Sequence, residues 1–132
     1  GLYVADSVKK VIGVEEVESA VSNATENAEL NAINNAKFFH ADVTQYLKSN
    51  PIPKSDTVIV DPPRKGCGAE LINQLIDNQP KKIIYVSCNP VSLAREVSQL
   101  LENGYKATEI QPIDMFPQTV HVESVVVLER LV

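Results

Sequence analysis

Tryptophan is absent from this 132-residue chain, and aromatic residues make up only 5% of it. Proteins that stack single-stranded bases on aromatic rings need more of them, so the composition argues against a base-stacking platform. Basic residues are also scarce, because 12 Lys and Arg stand against 17 Asp and Glu for a net charge of -5. Phosphate neutralisation requires cations. Any nucleic-acid-binding surface must therefore lie outside this chain or in a local basic patch.

Cysteines and long apolar runs are equally few. Cys67 and Cys88 are too few for a disulfide framework and lack metal-ligand spacing, so we expect no metal site in this chain. No apolar run approaches membrane-spanning length, and no charged-then-apolar leader opens the chain. We therefore expect a reducing, cytoplasmic setting without a membrane partner, while the oligomeric state stays open.

What the chain does contain is a regular alternation of apolar runs and helical patterns. Strands are predicted at 11–14, 36–39, 57–60, 83–86, 105–113 and 123–131, and helices at 16–32, 43–48, 69–78 and 91–103. This alternation is typical of a mostly parallel sheet covered by helices. The last two strands have no helix between them, which predicts that one of them is antiparallel. The pattern indicates one α/β domain spanning residues 1–132.

Open α/β sheets bind ligands beyond the carboxyl ends of their strands, and acidic residues lie there. Glu15, at the end of the first predicted strand, can accept hydrogen bonds from the ribose hydroxyls of a nucleoside cofactor. It can equally be a solvated acid at a helix N-terminus. Asp42 lies just past the next strand, where it can meet an adenine amine or cap the following helix. Both interpretations stay open for each residue.

Asp61 gives a more specific signal, because two prolines follow it. A doubled proline ends a strand and fixes a rigid, extended exit, which would hold Asp61 at the rim of the sheet facing a ligand. Arg64 and Lys65 then supply a local cationic edge. The alternative is a stiff loop with solvated charges, and we favour the ligand site.

Cys88 gives the sharpest local signal. It follows a predicted buried strand and precedes a helix with Pro90 at its first position. A thiol at a helix N-terminus favours the thiolate, which is the nucleophilic form, although a lone cysteine is more commonly buried and inert. Cys67, in a glycine-flanked loop, is interpreted as incidental. Glu123 opens the last strand and is either a general base or a charged strand-start residue, and spacing alone does not pair it with Cys88.

Together these residues resemble the RNA uracil-C5 methyltransferase family, which uses S-adenosylmethionine. The resemblance rests on three segments in the family's order: DPPRKG at 61–66, YVSCNP at 85–90 and DMFPQTVHVE at 114–123. It implies a Rossmann-like methyltransferase fold, S-adenosylmethionine as cofactor and transfer or ribosomal RNA as partner. It further implies Cys88 as nucleophile and Glu123 as base, with three cofactor-binding acids: Glu15, Asp42 and Asp61.

One departure from the family pattern concerns the start of the chain. Family members have a first strand followed by a Gly-rich turn that contacts the methionine part of the donor, whereas residues 1–5 here are similar to the helix after that turn. We therefore expect an N-terminally truncated catalytic domain with two unpaired strand edges. By itself this fragment is expected to bind S-adenosylmethionine weakly or not at all and to be inactive.

Two other functions stay open. A DPP segment at a strand end is similar to the motif with which N-methyltransferases hold an exocyclic amine, but that reaction leaves Cys88 without a role. A non-catalytic nucleotide-binding or interaction module is favoured by the acidic charge.

Overall fold

The computed structural model describes residues 1–54, 56–115 and 117–132. They form two compact units, Gly1–Asn50 and Pro51–Val132, and each is described by itself. The single-domain prediction stays a prediction.

The first unit contains a small parallel sheet. Its elements are a 3₁₀ helix at Leu2–Ser7, β1 at Val11–Glu15, α1 at Glu18–Leu30, β2 at Ala36–His40 and α2 at Val43–Ser49. β1 and β2 pair in parallel, and α1 is the crossover that parallel neighbours require. The carboxyl ends of both strands therefore lie at one edge of this sheet, followed by α1 and α2.

Packing in the first unit depends on a close approach at Gly13. A Cβ added at Gly13 would lie 2.5 Å from the ring of Phe38, its partner on β2. The Asn35 side chain donates to the carbonyl oxygen of Ala5 (2.8 Å), which ties the 3₁₀ helix to the start of β2. The buried hydrophobic residues found in the described part of this unit are Ala5 and Ala28, so its core is small.

The second unit contains a larger, mixed sheet. Its elements are β3 at Thr57–Val60, α3 at Ala69–Asn78, β4 at Lys82–Ser87, α4 at Pro90–Glu102, β5 at Tyr105–Ile113 and β6 at Glu123–Arg130. The strand order is β3-β4-β6-β5. β3 and β4 are parallel, and β6 is antiparallel to both of its neighbours. The predicted antiparallel last strand is confirmed.

The core of the second unit lies on one face of the β4–β6 pair. Ile83 and Tyr85 on β4 are fully buried and lie opposite Leu128 and Val126 on β6. Helices α3 and α4 add further buried residues: Leu71, Ile72, Leu75, Leu93 and Leu100. Full burial of one such side chain contributes roughly 1.5–3 kcal/mol. Burial of these side chains therefore stabilises the pairing of β4 with β6, and candidate site residues lie at the ends of these two strands.

The α/β class and the predicted strands and helices are confirmed. Where an observed boundary differs from the predicted one, the difference is one or two residues. β1 pairs only with β2, and β3 pairs only with β4, so each leaves one edge unpaired among the described strands, as expected. No strand precedes β1 in the described residues, and the segment expected to be helical is a 3₁₀ helix.

Candidate active site

In the second unit, three candidate residues follow or begin strands at one edge of the sheet. Asp61 comes directly after β3, and Cys88 comes directly after β4. Because β3 and β4 are parallel, both residues leave the sheet at the same edge. β6 runs the opposite way and starts with Glu123, so it starts at that edge too. The sheet thus presents a thiol and two carboxylates at one rim.

Extending the β4–β6 register by one step past its last pair would set Glu123 opposite Cys88. The last pair between β4 and β6 is Ser87 with Ser124, and one further step in the same register is Cys88 with Glu123. Directly opposed residues of antiparallel strands have Cα atoms about 4.5–5.5 Å apart and side chains on the same face. The strand pairing therefore brings the end of β4 and the start of β6 together, which the spacing of Cys88 and Glu123 along the chain does not predict.

Cys88 lies in a hydrogen-bonded turn that leads into α4. The Asn89 amide N–H donates to Ser87 Oγ (3.0 Å), and this hydroxyl donates to the Asn89 carbonyl oxygen (3.0 Å). Asn89 then caps the helix, because its Oδ1 accepts from the Val91 N–H (3.1 Å), and Pro90 takes the first turn. Cys88 is a free cysteine and is partly exposed, not sealed in the core. These hydrogen bonds hold the backbone on the C-terminal side of Cys88, while the cysteine itself is partly exposed.

Residues 61–68, here called the proline loop, connect β3 to α3. Asp61 is exposed, and the loop turns back on itself through a hydrogen bond from the Gly66 N–H to the Pro63 carbonyl oxygen (2.9 Å). The side chains of Arg64 and Lys65 are exposed, and the described residues offer neither of them an acidic partner. The loop therefore presents one carboxylate and two cations to solvent.

The two acids of the first unit both accept backbone hydrogen bonds near the start of a helix. Glu15 Oε1 accepts from the Val17 N–H (2.9 Å), at the turn between β1 and α1. Asp42 is the N-cap of α2, and its Oδ1 accepts from Thr44 Oγ1 and from the Gln45 N–H (2.8 Å). The hydrogen bond from Thr44 is the largest cause of a lowered pKa at Asp42, followed by the one from Gln45. The capping interpretation of Asp42 is confirmed, and both acids stay exposed at strand ends.

Sequence reasoning missed a buried acid, Glu96 on α4. Its side chain is 2% exposed, and its Oε2 accepts from the hydroxyl of the fully buried Tyr85 (2.5 Å). Burial by itself would raise the pKa of Glu96, but hydrogen bonds from Tyr85 and other donors outweigh it and lower the pKa. The available signal was its spacing, because Leu93, Glu96 and Leu100 repeat at the intervals of an apolar helix face.

Cys67 is less incidental than predicted, because it lies against the same cluster. Burial is the main cause that raises its pKa to about 11, and the negative charge of Glu96 adds to the effect. Burial of Tyr85 itself and its hydrogen bond to Glu96 raise the pKa of the Tyr85 hydroxyl. Cys67 is therefore a neutral thiol at physiological pH, and its reactivity is low.

The part of the chain that the structure describes contains no group of three or more His, Cys, Asp or Glu residues suited to a metal ion. None of its helices combines the length and apolar character needed to cross a membrane. Phe116, within the DMFPQTVHVE segment, lies outside the described residues.

Solved structures share this arrangement of strands and helices. A tRNA (uracil-54, C5)-methyltransferase from Pyrococcus abyssi, solved in complex with S-adenosyl-L-homocysteine, superposes with a TM-score of 0.82 at 38% identity, covering 97% of this chain and 31% of that one. An rRNA methylase from Streptococcus thermophilus superposes with a TM-score of 0.72 at 14% identity, covering 99% of this chain and 79% of that one. The second likeness concerns the fold alone. The fold is that of Rossmann-like methyltransferases.

Sequence relatives are similar along nearly the whole chain. An uncharacterized RNA methyltransferase from Enterococcus faecalis is 49% identical, covering 100% of this chain and 29% of the relative. Another from Bacillus cereus is 48% identical, covering 98% of this chain and 29% of the relative. The chain thus spans less than a third of the length of these relatives. The sequence model described as tRNA (Uracil-5-)-methyltransferase matches residues 1–131, so the chain belongs to the tRNA (uracil-5-)-methyltransferase family.

Proposed function

We propose that the complete protein transfers a methyl group from S-adenosylmethionine to carbon 5 of a uridine in RNA. Cys88 is the nucleophile and Glu123 is the base. The observation that carries this proposal is the β4–β6 register, which makes Cys88 and Glu123 the next opposed pair after Ser87 and Ser124. Family membership supports it, because the matching family is described by the same reaction.

The two residues have complementary tasks in this reaction. Carbon 5 of uracil is a weak nucleophile, so the Cys88 thiolate first adds to C6, forming an S–C6 bond and moving the C5=C6 π electrons into an enolate. S-adenosylmethionine would supply an electrophilic methyl group on a positively charged sulfur. C5 would bond to this carbon as the methyl–sulfur bond breaks, with the electron pair staying on sulfur and S-adenosylhomocysteine leaving. The Glu123 carboxylate then removes the proton from C5. The C–H electrons restore the C5=C6 double bond, the S–C6 bond breaks, and Cys88 leaves as thiolate.

The acids at the strand ends fit the cofactor by chemistry. Carboxylates accept hydrogen bonds from ribose hydroxyls and from the adenine amine, which are the donors that the nucleoside part of S-adenosylmethionine offers. Glu15, Asp42 and Asp61 are exposed and lie just beyond the carboxyl ends of parallel strands. We assign these three acids to the cofactor.

RNA recognition depends on a local patch, because the chain has a net charge of -5. In the proline loop, Arg64 and Lys65 point into solvent beside Asp61, at the rim that carries Cys88. Thiolate addition needs access to the C6 edge of the base, so the target uridine must be unstacked or lie in a loop. Both transfer and ribosomal RNA contain such uridines, and assaying the two RNA classes separately identifies which one is the substrate.

The test is to incubate the complete protein with S-adenosylmethionine and with unmodified transfer or ribosomal RNA, and to analyse the digested nucleosides by mass spectrometry. We expect 5-methyluridine from one RNA class with the wild type and none above background with Cys88→Ala. A methyl group on a base nitrogen would identify an N-methyltransferase and contradict the proposal. Full activity of Cys88→Ala would do so too.

A further inference from the structure

Side chains of α4 hold the backbone of the proline loop. Asn89 Nδ2 donates to the carbonyl oxygen of Arg64 (2.8 Å), and Ser92 Oγ donates to the same oxygen (3.1 Å). Arg95 Nη2 donates to the carbonyl oxygen of Lys65 (3.1 Å). The helix that begins one turn after β4 therefore fixes the path of the loop that follows β3.

Glu96 on α4 also holds the proline loop, but as a hydrogen-bond acceptor. Its carboxylate accepts from the backbone N–H groups of Cys67 (2.9 Å) and Gly68 (3.1 Å), and from Arg95 Nη2 (3.2 Å). Together with the Tyr85 hydroxyl (2.5 Å), these donors give the buried carboxylate four partners. Neutral apolar side chains would pack this helix face at lower desolvation cost, so core packing does not explain an ionised acid here. The N–H groups of the proline loop explain it, because they donate hydrogen bonds to the carboxylate.

The loop is shaped around this carboxylate. Gly66 has a φ of +94°, and a Cβ built on it would lie 2.3 Å from Glu96 Oε1. Gly66 is buried, so its backbone lies directly against the acid. The absence of a side chain at this position is what lets the backbone approach a carboxylate so closely.

We propose that Glu96 is a positioning residue for the reaction, and that it sets the location of Asp61 relative to Cys88 by holding the proline loop on α4. This inference rests on the proposed function. The same helix carries the Cys88 turn at its start and the loop contacts along its first two turns. A loop released from Glu96 would move Asp61, and with it the cofactor, away from the thiol. Small displacements of reacting groups lower rates strongly.

The first test measures the loop itself, by hydrogen–deuterium exchange of the peptide that covers the proline loop in the complete protein. Glu96→Gln keeps the size of the side chain but loses the charge that accepts two N–H bonds. We expect at least about tenfold faster exchange in this peptide and unchanged exchange in β3, because hydrogen bonds to charged groups are the stronger ones. Tyr85→Phe, which removes one of the four donors and keeps the packing, should give a smaller acceleration of about threefold.

The second test separates positioning from stability by steady-state kinetics. A residue with a merely structural role lowers the folded fraction, which leaves the KM for S-adenosylmethionine unchanged. We expect Glu96→Gln to raise this KM and to lower kcat, each by about tenfold, with partial rescue in Glu96→Asp. Glu102→Gln is the matched control, because it changes the same group on an exposed position of α4 and should alter neither constant.

The two tests fail in distinguishable ways. If wild-type protein makes no 5-methyluridine, the proposed function is wrong, and the exchange measurement still decides whether Glu96 holds the loop. If Glu96→Gln does not fold, Tyr85→Phe takes its place in both tests. Unchanged exchange in the loop peptide, or an unchanged KM with only a smaller folded fraction, would overturn the inference.

Discussion

The two cysteines of this chain lie in neighbouring connections at the same end of one sheet, yet their surroundings differ. Cys67 lies in the proline loop against Tyr85 and Glu96, where burial and a negative charge raise its pKa to about 11. Cys88 lies in the turn directly after β4 and, like Cys67, is partly exposed. The first environment keeps the thiol protonated, and in the proposed reaction the second sets the thiolate near its base.

This contrast teaches that the role of a thiol comes from its neighbours and not from its loop position. Cys88 follows β4 directly, whereas Cys67 lies seven residues after the end of β3, and both precede a helix. A nucleophile needs access to substrate and a stabilised anion. Burial is the main cause that opposes a negative charge on Cys67 by raising its pKa. Its backbone N–H, rather than its thiol, serves the structure by binding Glu96.

The largest expected difference between the two cysteines is in methyl transfer. Cys88→Ala removes the atom that adds to C6, so the rate should fall by about 10⁴-fold or more, the size seen when a nucleophile is deleted. Cys67→Ala keeps the backbone N–H and should retain the rate within about tenfold. The measurement is single-turnover methylation with radiolabelled S-adenosylmethionine in the complete protein. Comparable losses in both variants would break the contrast.

Glu123 sharpens the comparison, since the proposed reaction gives Cys88 a partner base. Glu123→Gln retains hydrogen bonding but cannot accept the proton from C5, so turnover should fall by roughly 10²–10⁴-fold. Adduct formation precedes this step, and a covalent RNA–protein complex should therefore accumulate. Denaturing gel electrophoresis detects it as a shifted band that requires Cys88. A variant that turns over slowly without any such band would exclude Glu123 as the base.

Alkylation compares the two thiols without substrate. With a pKa of about 11, Cys67 has about 100-fold less thiolate near pH 8 than a cysteine of ordinary pKa. Iodoacetamide should label the Cys67→Ala chain, which keeps Cys88, much faster than the Cys88→Ala chain. Labelling of Cys67 should increase as the pH rises towards its pKa, because the thiolate is the reacting form. Intact mass spectrometry gives both rates, and equal rates near pH 8 would contradict the assignment.

The smallest expected effect concerns the free energy of unfolding, and it compares two glycines of the proline loop, Gly66 and Gly68. Gly66→Ala places a methyl group against Glu96 and keeps a positive φ, whereas Gly68, with a φ of +83°, has no atom within 4 Å of an added Cβ. Gly68→Ala should lower the free energy of unfolding by about 1 kcal/mol through backbone strain alone. Gly66→Ala should lower it by roughly 1–3 kcal/mol more because of the clash. Urea denaturation measures both, and equal losses would mean that the loop relaxes away from Glu96.

Much of the fold was predictable from local pattern. The bounds of β3, α3 and β5 agree with the apolar runs and their flanking signals, and Asn103 followed by Gly104 ends α4 as predicted, with a φ of +92° at the glycine. These features depend on residues close together in the chain. The candidate nucleophile was also found locally, since a cysteine between a strand and a helix is visible in the sequence.

Two features could not be predicted, because they depend on distant pairing. The proposed pairing of Glu123 with Cys88 rests on the antiparallel register of β4 and β6, which no local spacing fixes. The partners of Glu96 are backbone N–H groups in the proline loop, and backbone donors carry no sequence signal. A charged residue on the apolar face of α4 indicates a buried acid but does not say what it binds.

The most direct test of the central claim is to identify the atom that attacks uridine. The complete protein is incubated with S-adenosylmethionine and a substrate RNA that carries 5-fluorouridine, whose C5 fluorine cannot be removed as a proton, so the covalent complex does not resolve. After digestion, mass spectrometry locates the nucleotide on the protein. The account predicts a methylated fluorouridine adduct on the peptide that contains Cys88, at its sulfur. An adduct on another residue, or methylation of uridine by a protein that forms no adduct, would contradict it.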